Sequence, residues 1–270
     1  MPTFTGKTFA SFYKNILGLN QSANTGITTL PARVQDGAGQ DTSILISDDT
    51  LSVNPKTDNF TGTFIVTNTS GNNILAVDTS NSKVLGGASQ TALNTQYAHF
   101  GVDHVASQGF IADTHMAIPF GLSESSASYL TMGSSTSSSF NDTDPATSLT
   151  TTTSAMYVVN MFWHVMDDIT VDAVKWWSAA DTATGDDVAA HLMSYSVVSD
   201  NSSTSGDLSS GVVVADGATI TNAGHEQLYY QSMTIQSADV DAGKIIMFTF
   251  ASDTVNSDYG INATVKYHIR

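Results

Sequence analysis

Between residues 44 and 85 the chain repeats one device, a patch of two to four residues that are mostly apolar followed by a polar turn. The patches are Ile44-Leu45-Ile46, Leu51-Ser52-Val53, Phe64-Ile65-Val66, Ile74-Leu75-Ala76-Val77 and Val84-Leu85. Each is long enough for one short strand, and each gap, rich in Asp, Asn, Gly and Ser, is long enough for a turn. Leu51-Ser52-Val53 and Leu75-Ala76-Val77 stand 24 residues apart with the same spacing of large apolar side chains. Strands this short cannot cover their own apolar sides and need neighbours. The simplest neighbours are identical chains wound about a common axis. The spacing therefore predicts a stalk-like oligomerisation module over 44–87, and a structural or binding role rather than an enzyme.

The bulk numbers agree with an extended β protein. The chain has 270 residues, 41% of them hydrophobic, enough for one large or two modest domains. Only 13% are charged, roughly half the usual share of about 25%. Small polar residues make up the surface instead. A net charge of -16 repels phosphate backbones, which excludes nucleic acid as the expected partner. There is no cysteine, so disulfides and thiolate metal sites are excluded. Met1-Pro2-Thr3-Phe4 does not open a secretory signal, and no run approaches the roughly 18 apolar residues of a membrane span. The expectation is a protein made in a cytoplasm, with no membrane insertion.

Residues 8–19 predict an amphipathic helix, because Phe9, Phe12, Tyr13, Ile16 and Leu19 recur at steps of three and four. So short a helix is marginal alone and must dock. Phe9, Phe12, Tyr13 and Ile16 are the candidate anchor residues. Residues 20–43 are polar and turn-rich and read as an extended connector, so 1–43 forms an N-terminal anchor helix and arm. Gly86-Gly87 ends the short-strand module, with Asp48-Asp49 and Ser70-Gly71-Asn72 as its hairpin tips. Residues 88–270 form the last domain, with a Ser/Thr-rich insertion over 123–154. Strands are expected over 156–165, 169–177, 191–198, 211–215, 228–235, 244–250 and 261–269. In 169–177, alternation puts Ile169, Val171, Ala173 and Lys175 on one side and Val174 and Trp176 on the other. In 261–269 it sets Ile261, Ala263, Val265, Tyr267 and Ile269 against Asn262, Thr264, Lys266 and His268. Strands at such intervals, with no helical period between them, predict an antiparallel β-sandwich or jelly roll.

Motifs that carry chemistry are scarce. Seven histidines are present, but His99 and His104 have no ligand spacing, and H-E-x-x-H is absent. His164 and His268 fall within strands and read as ordinary sheet residues. Acidic pairs at Asp48-Asp49, Asp167-Asp168 and Asp186-Asp187 read as turn formers, with loose calcium binding in loops as the alternative. With only Glu124 and Glu226, nothing singles out an acid and a base for glycoside cleavage. Nucleophile-elbow and phosphate-loop motifs are absent. No catalytic residue, cofactor or metal is expected. Trp176, Trp177, Tyr229 and Tyr230 are the candidate contact residues, since an outward aromatic ring can stack on a sugar or fill a protein interface.

Several stretches resemble structural proteins of marine tailed bacteriophages. They are Gly6-Lys7-Thr8-Phe9-Ala10-Ser11-Phe12-Tyr13-Lys14-Asn15, and Val34-Gln35-Asp36-Gly37-Ala38-Gly39 followed by Ser47-Asp48-Asp49. The stretch Asn73-Ile74-Leu75-Ala76-Val77-Asp78-Thr79-Ser80-Asn81-Ser82-Lys83-Val84-Leu85 is similar to the strand–turn–strand repeat of phage fibre shafts. Ala242-Gly243-Lys244-Ile245-Ile246-Met247-Phe248, with the final Lys266-Tyr267-His268-Ile269-Arg270, resembles the last two strands of a trimeric jelly-roll head. The resemblance covers the first 90 residues well and the final 30 loosely; the Ser/Thr-rich middle departs from it. It implies a virion protein: a homotrimeric, fibre-like surface appendage fixed by its N-terminus to other virion proteins of capsid, tail or neck. The C-terminal domain would then touch a host cell-surface glycan or protein. A trimeric capsid decoration protein, clamping the shell with its N-terminal arm, is the alternative.

Overall fold

The computed structural model describes residues 17–21, 26–87, 89, 91–105, 111–123, 131–133, 144–150, 159–182, 184–200, 204–254 and 257–270. The described part is mainly β and contains no helix. It divides into two compact units, Met1–Asn94 and Thr95–Arg270.

The first unit holds β1 (Leu17–Leu19), β2 (Ala32–Asp36), β3 (Asp41–Ile46), β4 (Leu51–Val53), β5 (Phe64–Thr67), β6 (Asn73–Asp78), β7 (Lys83–Gly86) and β8 (Thr91–Ala92). They form two four-stranded antiparallel meanders, β1-β2-β3-β4 and β5-β6-β7-β8. Side chains close the turns. Asn68 Oδ1 accepts the backbone N–H groups of Ser70 and Asn72, while Gly71 takes φ 80° at the tip. Asp78 Oδ1 accepts those of Ser80 and Asn81 in the same way. At the other expected tip, Ser47 N–H donates to Thr50 O at 2.8 Å across Asp48-Asp49.

Three expectations change here. The helix expected over 8–19 lies mostly outside the described residues. Its last three positions, Leu17, Gly18 and Leu19, pair as β1 with Asp36, Gln35 and Val34, because an available strand edge satisfies their backbone groups. The connector expected over 20–43 contains β2, whose Ala32 and Arg33 pair with Ile46 and Leu45 of β3. The sheet thus crosses the expected boundary at 43. The strands also run past Gly86-Gly87, since Leu85 and Gly86 pair with Ala92 and Thr91.

Among the described residues this unit fully buries only two apolar side chains, Ala32 (8% exposed) and Ala76 (1%). Leu51 is 72% exposed, Phe60 62% and Ile74 52%, and β5 is exposed along its whole length.

The second unit contains β9 (Thr95–Val105), β10 (His115–Ile118), β11 (Gly121–Ser123), β12 (Thr131–Gly133), β13 (Trp163–His164), β14 (Ile169–Ala180) and β15 (Asp187–Val197). It continues with β16 (Leu208–Asp216), β17 (Ile220–Thr221), β18 (Leu228–Ser232), β19 (Thr234–Ile235), β20 (Asp239–Val240), β21 (Ile245–Ser252) and β22 (Tyr259–Ile269). One sheet of six strands runs β11-β9-β22-β14-β18, with β20 also on β14. A second, of eight, runs β12-β10-β21-β15-β16-β19, with β13 on β21 and β17 on β15. All pairs are antiparallel except β11 with β9. Phe100, Val174, Trp176, Ala263 and Val265 of the first sheet share one core with Met116, Leu192, Phe248 and Phe250 of the second.

Two local features explain where the alternation departs from the sequence pattern. In β14, Val171 opposes Tyr267 and Ala173 opposes Lys266, which leaves Asp172 as the extra residue of a bulge. The bulge shifts the pleat by one, so Ile169 and Val171 reach the same core as Val174 and Trp176. Before the bulge the expected side thus turns to the core; after it, exposed Lys175 still opposes buried Val174 and Trp176, as expected. The second sheet departs differently. Its strand β21 is buried at every position. Beyond the shared core, Met193, Tyr195 and Met247 form a second apolar cluster with Met161 and Leu208, against which Leu149 packs. Part of the expected insertion thus lies on that sheet, fixed by the bridge between Leu149 and Leu208.

The stretch expected as one strand over 228–235 changes sheet at Met233. β18 pairs with β14, and β19 pairs with β16. Met233 itself is buried and donates its N–H to Val174 O at 3.0 Å.

Candidate functional site

The outward face of the six-stranded sheet carries the candidate site. Trp177 of β14 stands opposite Tyr230 of β18 on one side and Asn262 of β22 on the other. Along the same strands Ala179 is flanked by Leu228 and Gly260. Trp177, Ala179, Leu228, Gly260 and Asn262, with Asp103 of β9, line an open cleft of about 330 Å³, at the lower end of the roughly 300–1,000 Å³ of small-molecule sites.

The cleft exists because its floor is small. Ala179 contributes one methyl and Gly260 none. A Cβ on Gly260 would approach Asp103 O to 3.1 Å, so any side chain there would press on the β9 backbone. Its walls are apolar and exposed: Trp177 is 39% exposed and Leu228 60%. Tyr230 holds the indole from outside the cleft, with ring centroids 4.5 Å apart at 41°. Lys175 Nζ sits 5.6 Å from the centre of the Tyr230 ring. A hydrogen bond with Ser232, then the Lys175 ammonium, keeps the Tyr230 hydroxyl below the ordinary tyrosine range. Two polar side chains border the cleft, the Asn262 amide and the exposed Asp103 carboxylate. Neither has a side-chain partner among the described residues.

The four expected contact residues separate. Trp177 and Tyr230 lie on the surface side by side. Trp176 does not belong to the contact set: it is fully buried, its ring lies against Phe248 and Phe250, and its indole N–H donates to Gln231 Oε1 at 3.1 Å. Adjacent strand residues point to opposite faces, so Trp176 and Trp177 cannot both reach solvent. Tyr229 is half-buried and tied to its own loop, its hydroxyl accepting the Gly224 N–H at 2.8 Å. The expected anchors Phe9, Phe12, Tyr13 and Ile16 lie outside the described residues.

Asp103, Leu228, Gly260 and Asn262 were not singled out by sequence reasoning. Only Asn262 had a signal, its place in the outward row of the last strand. Asp103 and Gly260, 157 residues apart, meet at the register shift between β9 and β22, which no local pattern records.

The titratable clusters elsewhere are built into the fold. His191 is buried in the eight-stranded sheet, with Nε2 3.2 Å from Asp216 and 3.6 Å from Asp144, and its ring meets His115 edge to face at 4.8 Å. Burial pulls the His191 imidazole below its ordinary range, opposed in part by Asp144. Burial also pushes the Asp216 carboxyl up, and Asp144 adds to that. His268 lies within strand β22, as expected, and is buried there, with Nδ1 3.0 Å from Asp172 Oδ2. Asp186 is not a turn tip either: it is buried beside Tyr259, whose hydroxyl donates to its Oδ2 at 3.4 Å. No group of three or more His, Asp or Glu side chains is arranged to hold a metal ion among the described residues.

Comparison with known proteins gives no match, either to a family model or to a curated protein.

Proposed function

We propose that this chain is a structural protein of a tailed phage particle, a homotrimeric, fibre-like surface appendage. Its N-terminal segment attaches it to other virion proteins. Its second unit, a β-sandwich, projects outward and offers the Trp177 face to the host surface. One observation carries this reading: among its described residues the first unit buries two apolar side chains, both alanines, while leaving Leu51, Phe60, Phe64, Ile65 and Ile74 exposed. A unit with so little core does not offset the entropy of ordering its strands. Copies of the same chain supply the missing contacts most simply, because matching strands present matching apolar edges. The resemblance of 73–85 to fibre-shaft repeats adds to this.

Light scattering on the purified chain tests the trimer directly. The expected mass is three chains, unchanged over a wide range of dilution. A monomer at all concentrations overturns the reading. Antibody labelling of intact particles then places the protein, and labels spread over the capsid shell would replace the appendage with a decoration protein.

A further inference from the structure

We infer that the cleft on the six-stranded sheet binds an uncharged saccharide, with one pyranose ring seated on the Trp177 indole. The inference rests on the appendage reading for its biological setting but on the cleft alone for its chemistry.

The apolar part of the argument is the ring. A sugar presents axial C–H groups on one face and hydroxyls around its rim, so it fits a flat aromatic surface edged by hydrogen-bonding groups. Trp177 supplies such a surface, fixed in place by Tyr230 and, behind it, by Lys175. The polar part is the pair of free side chains. The Asn262 amide both donates and accepts, and the Asp103 carboxylate accepts, which matches rim hydroxyls that do both. Among the described residues no side chain takes up their bonding capacity. A purely apolar partner would leave both groups desolvated and unpaired, at a cost.

Charge narrows the class. Asp103 stands at the cleft, and the chain carries a net charge of -16. Uronic acids, sialic acids and phosphorylated sugars are therefore disfavoured. The cation beside Trp177, Lys175, is engaged with Tyr230. The cleft is open and accepts one ring, so affinity per site is expected at roughly the millimolar level. Three copies on one appendage would raise it through avidity.

Ligand-observed nuclear magnetic resonance on the full-length protein tests this. The probes are the methyl glycosides of glucose, galactose, mannose and N-acetylglucosamine, and tetrasaccharides of each. Saturation transfer from protein to at least one probe is expected. Trp177→Ala should raise that Kd by about tenfold or more, Trp177→Phe should retain part of the binding, and Asn262→Ala should weaken it. The melting temperature and solution mass of each variant establish that the fold persists. No transfer to any probe overturns the inference, as does binding that survives Trp177→Ala. Loss of the oligomer in Trp177→Ala, without sugar binding in the parent, would instead identify the face as a contact between copies. The two readings fail separately. A protein found on particles that binds no probe sinks the saccharide site and leaves the appendage. A protein that binds sugar through Trp177 but is absent from particles does the reverse.

Discussion

Nδ1 of His268 lies 3.0 Å from a carboxylate oxygen of Asp172, and Asp172 is the extra residue of the β14 bulge. The contact joins the one irregular position of β14 to the neighbouring β22. The imidazole is almost fully buried and the carboxylate side chain is 14% exposed. Asp172→Ala leaves a buried imidazole without this partner and is expected to cost about 2–4 kcal/mol. Asp172→Asn keeps an acceptor and should cost less. Urea unfolding of both variants measures the difference, and equal costs would assign the effect to the bulge backbone instead.

Acid should weaken the second unit through His191. Its imidazole is held below the ordinary value of 6.5 by burial. As pH falls through that value, the unfolded chain takes up a proton that the folded chain refuses, so stability is lost on acidification. Melting temperature is expected to fall between pH 7 and pH 5, and His191→Gln should flatten the slope. The raised carboxyls of Asp216 and Asp253 act in the opposite sense. They keep protons that the unfolded chain releases, so their contribution is lost as pH rises from 3.8 through their folded values. A slope unaltered by His191→Gln would assign the pH response to other groups.

Gly211 of β16 is expected to reject any side chain. A Cβ there would stand 2.6 Å from the Tyr195 ring and 2.8 Å from the Thr147 backbone. Tyr195 has little room to yield, because it is buried and its hydroxyl donates to Ala146 O at 2.9 Å. Gly211→Ala should cost about 1–3 kcal/mol, read as a lower melting temperature. A neutral substitution would mean that the 146–149 segment lifts from the sheet with ease.

The two units should part company when separated. A fragment spanning 95–270 keeps both sheets and their shared core, and is expected to melt cooperatively as a monomer. A fragment spanning 1–94 has two buried alanines for a core among its described residues. Diluted alone, it should show no cooperative transition by circular dichroism. In the full chain, Ile65→Asp should lower the solution mass while leaving the melting of the second unit in place.

Much of this fold was legible because strands of the second unit announce themselves by period. Ile261, Ala263 and Val265 face the core and Asn262 and Thr264 do not, as alternation requires. The turns of the first unit were legible too, because Asp, Asn and Gly are there for their bonding and backbone freedom. The Asp172 bulge was hidden, since one extra residue in a strand leaves no mark except a pleat that changes sides. β2 was hidden because Ala32–Asp36 is mostly polar and owes its extended form to pairing with β3. The N-terminal periodicity was misleading at its end: Leu19 follows Ile16 by a helical step and Leu17 by a strand step alike. Of the cleft, Trp177 and Tyr230 could be named from their neighbours in sequence. Its floor and polar edge arise from distant strands.

The change of sheet at Met233 has a mechanical meaning. Eight consecutive residues, 228–235, are stitched to one sheet at their start and to the other at their end. Pulling the sheets apart must drag this segment off β14 or off β16, so neither layer can peel away alone. Backbone amides in β14, β15 and β16 should therefore exchange with solvent as a single cooperative block, with one opening free energy rather than one for each layer.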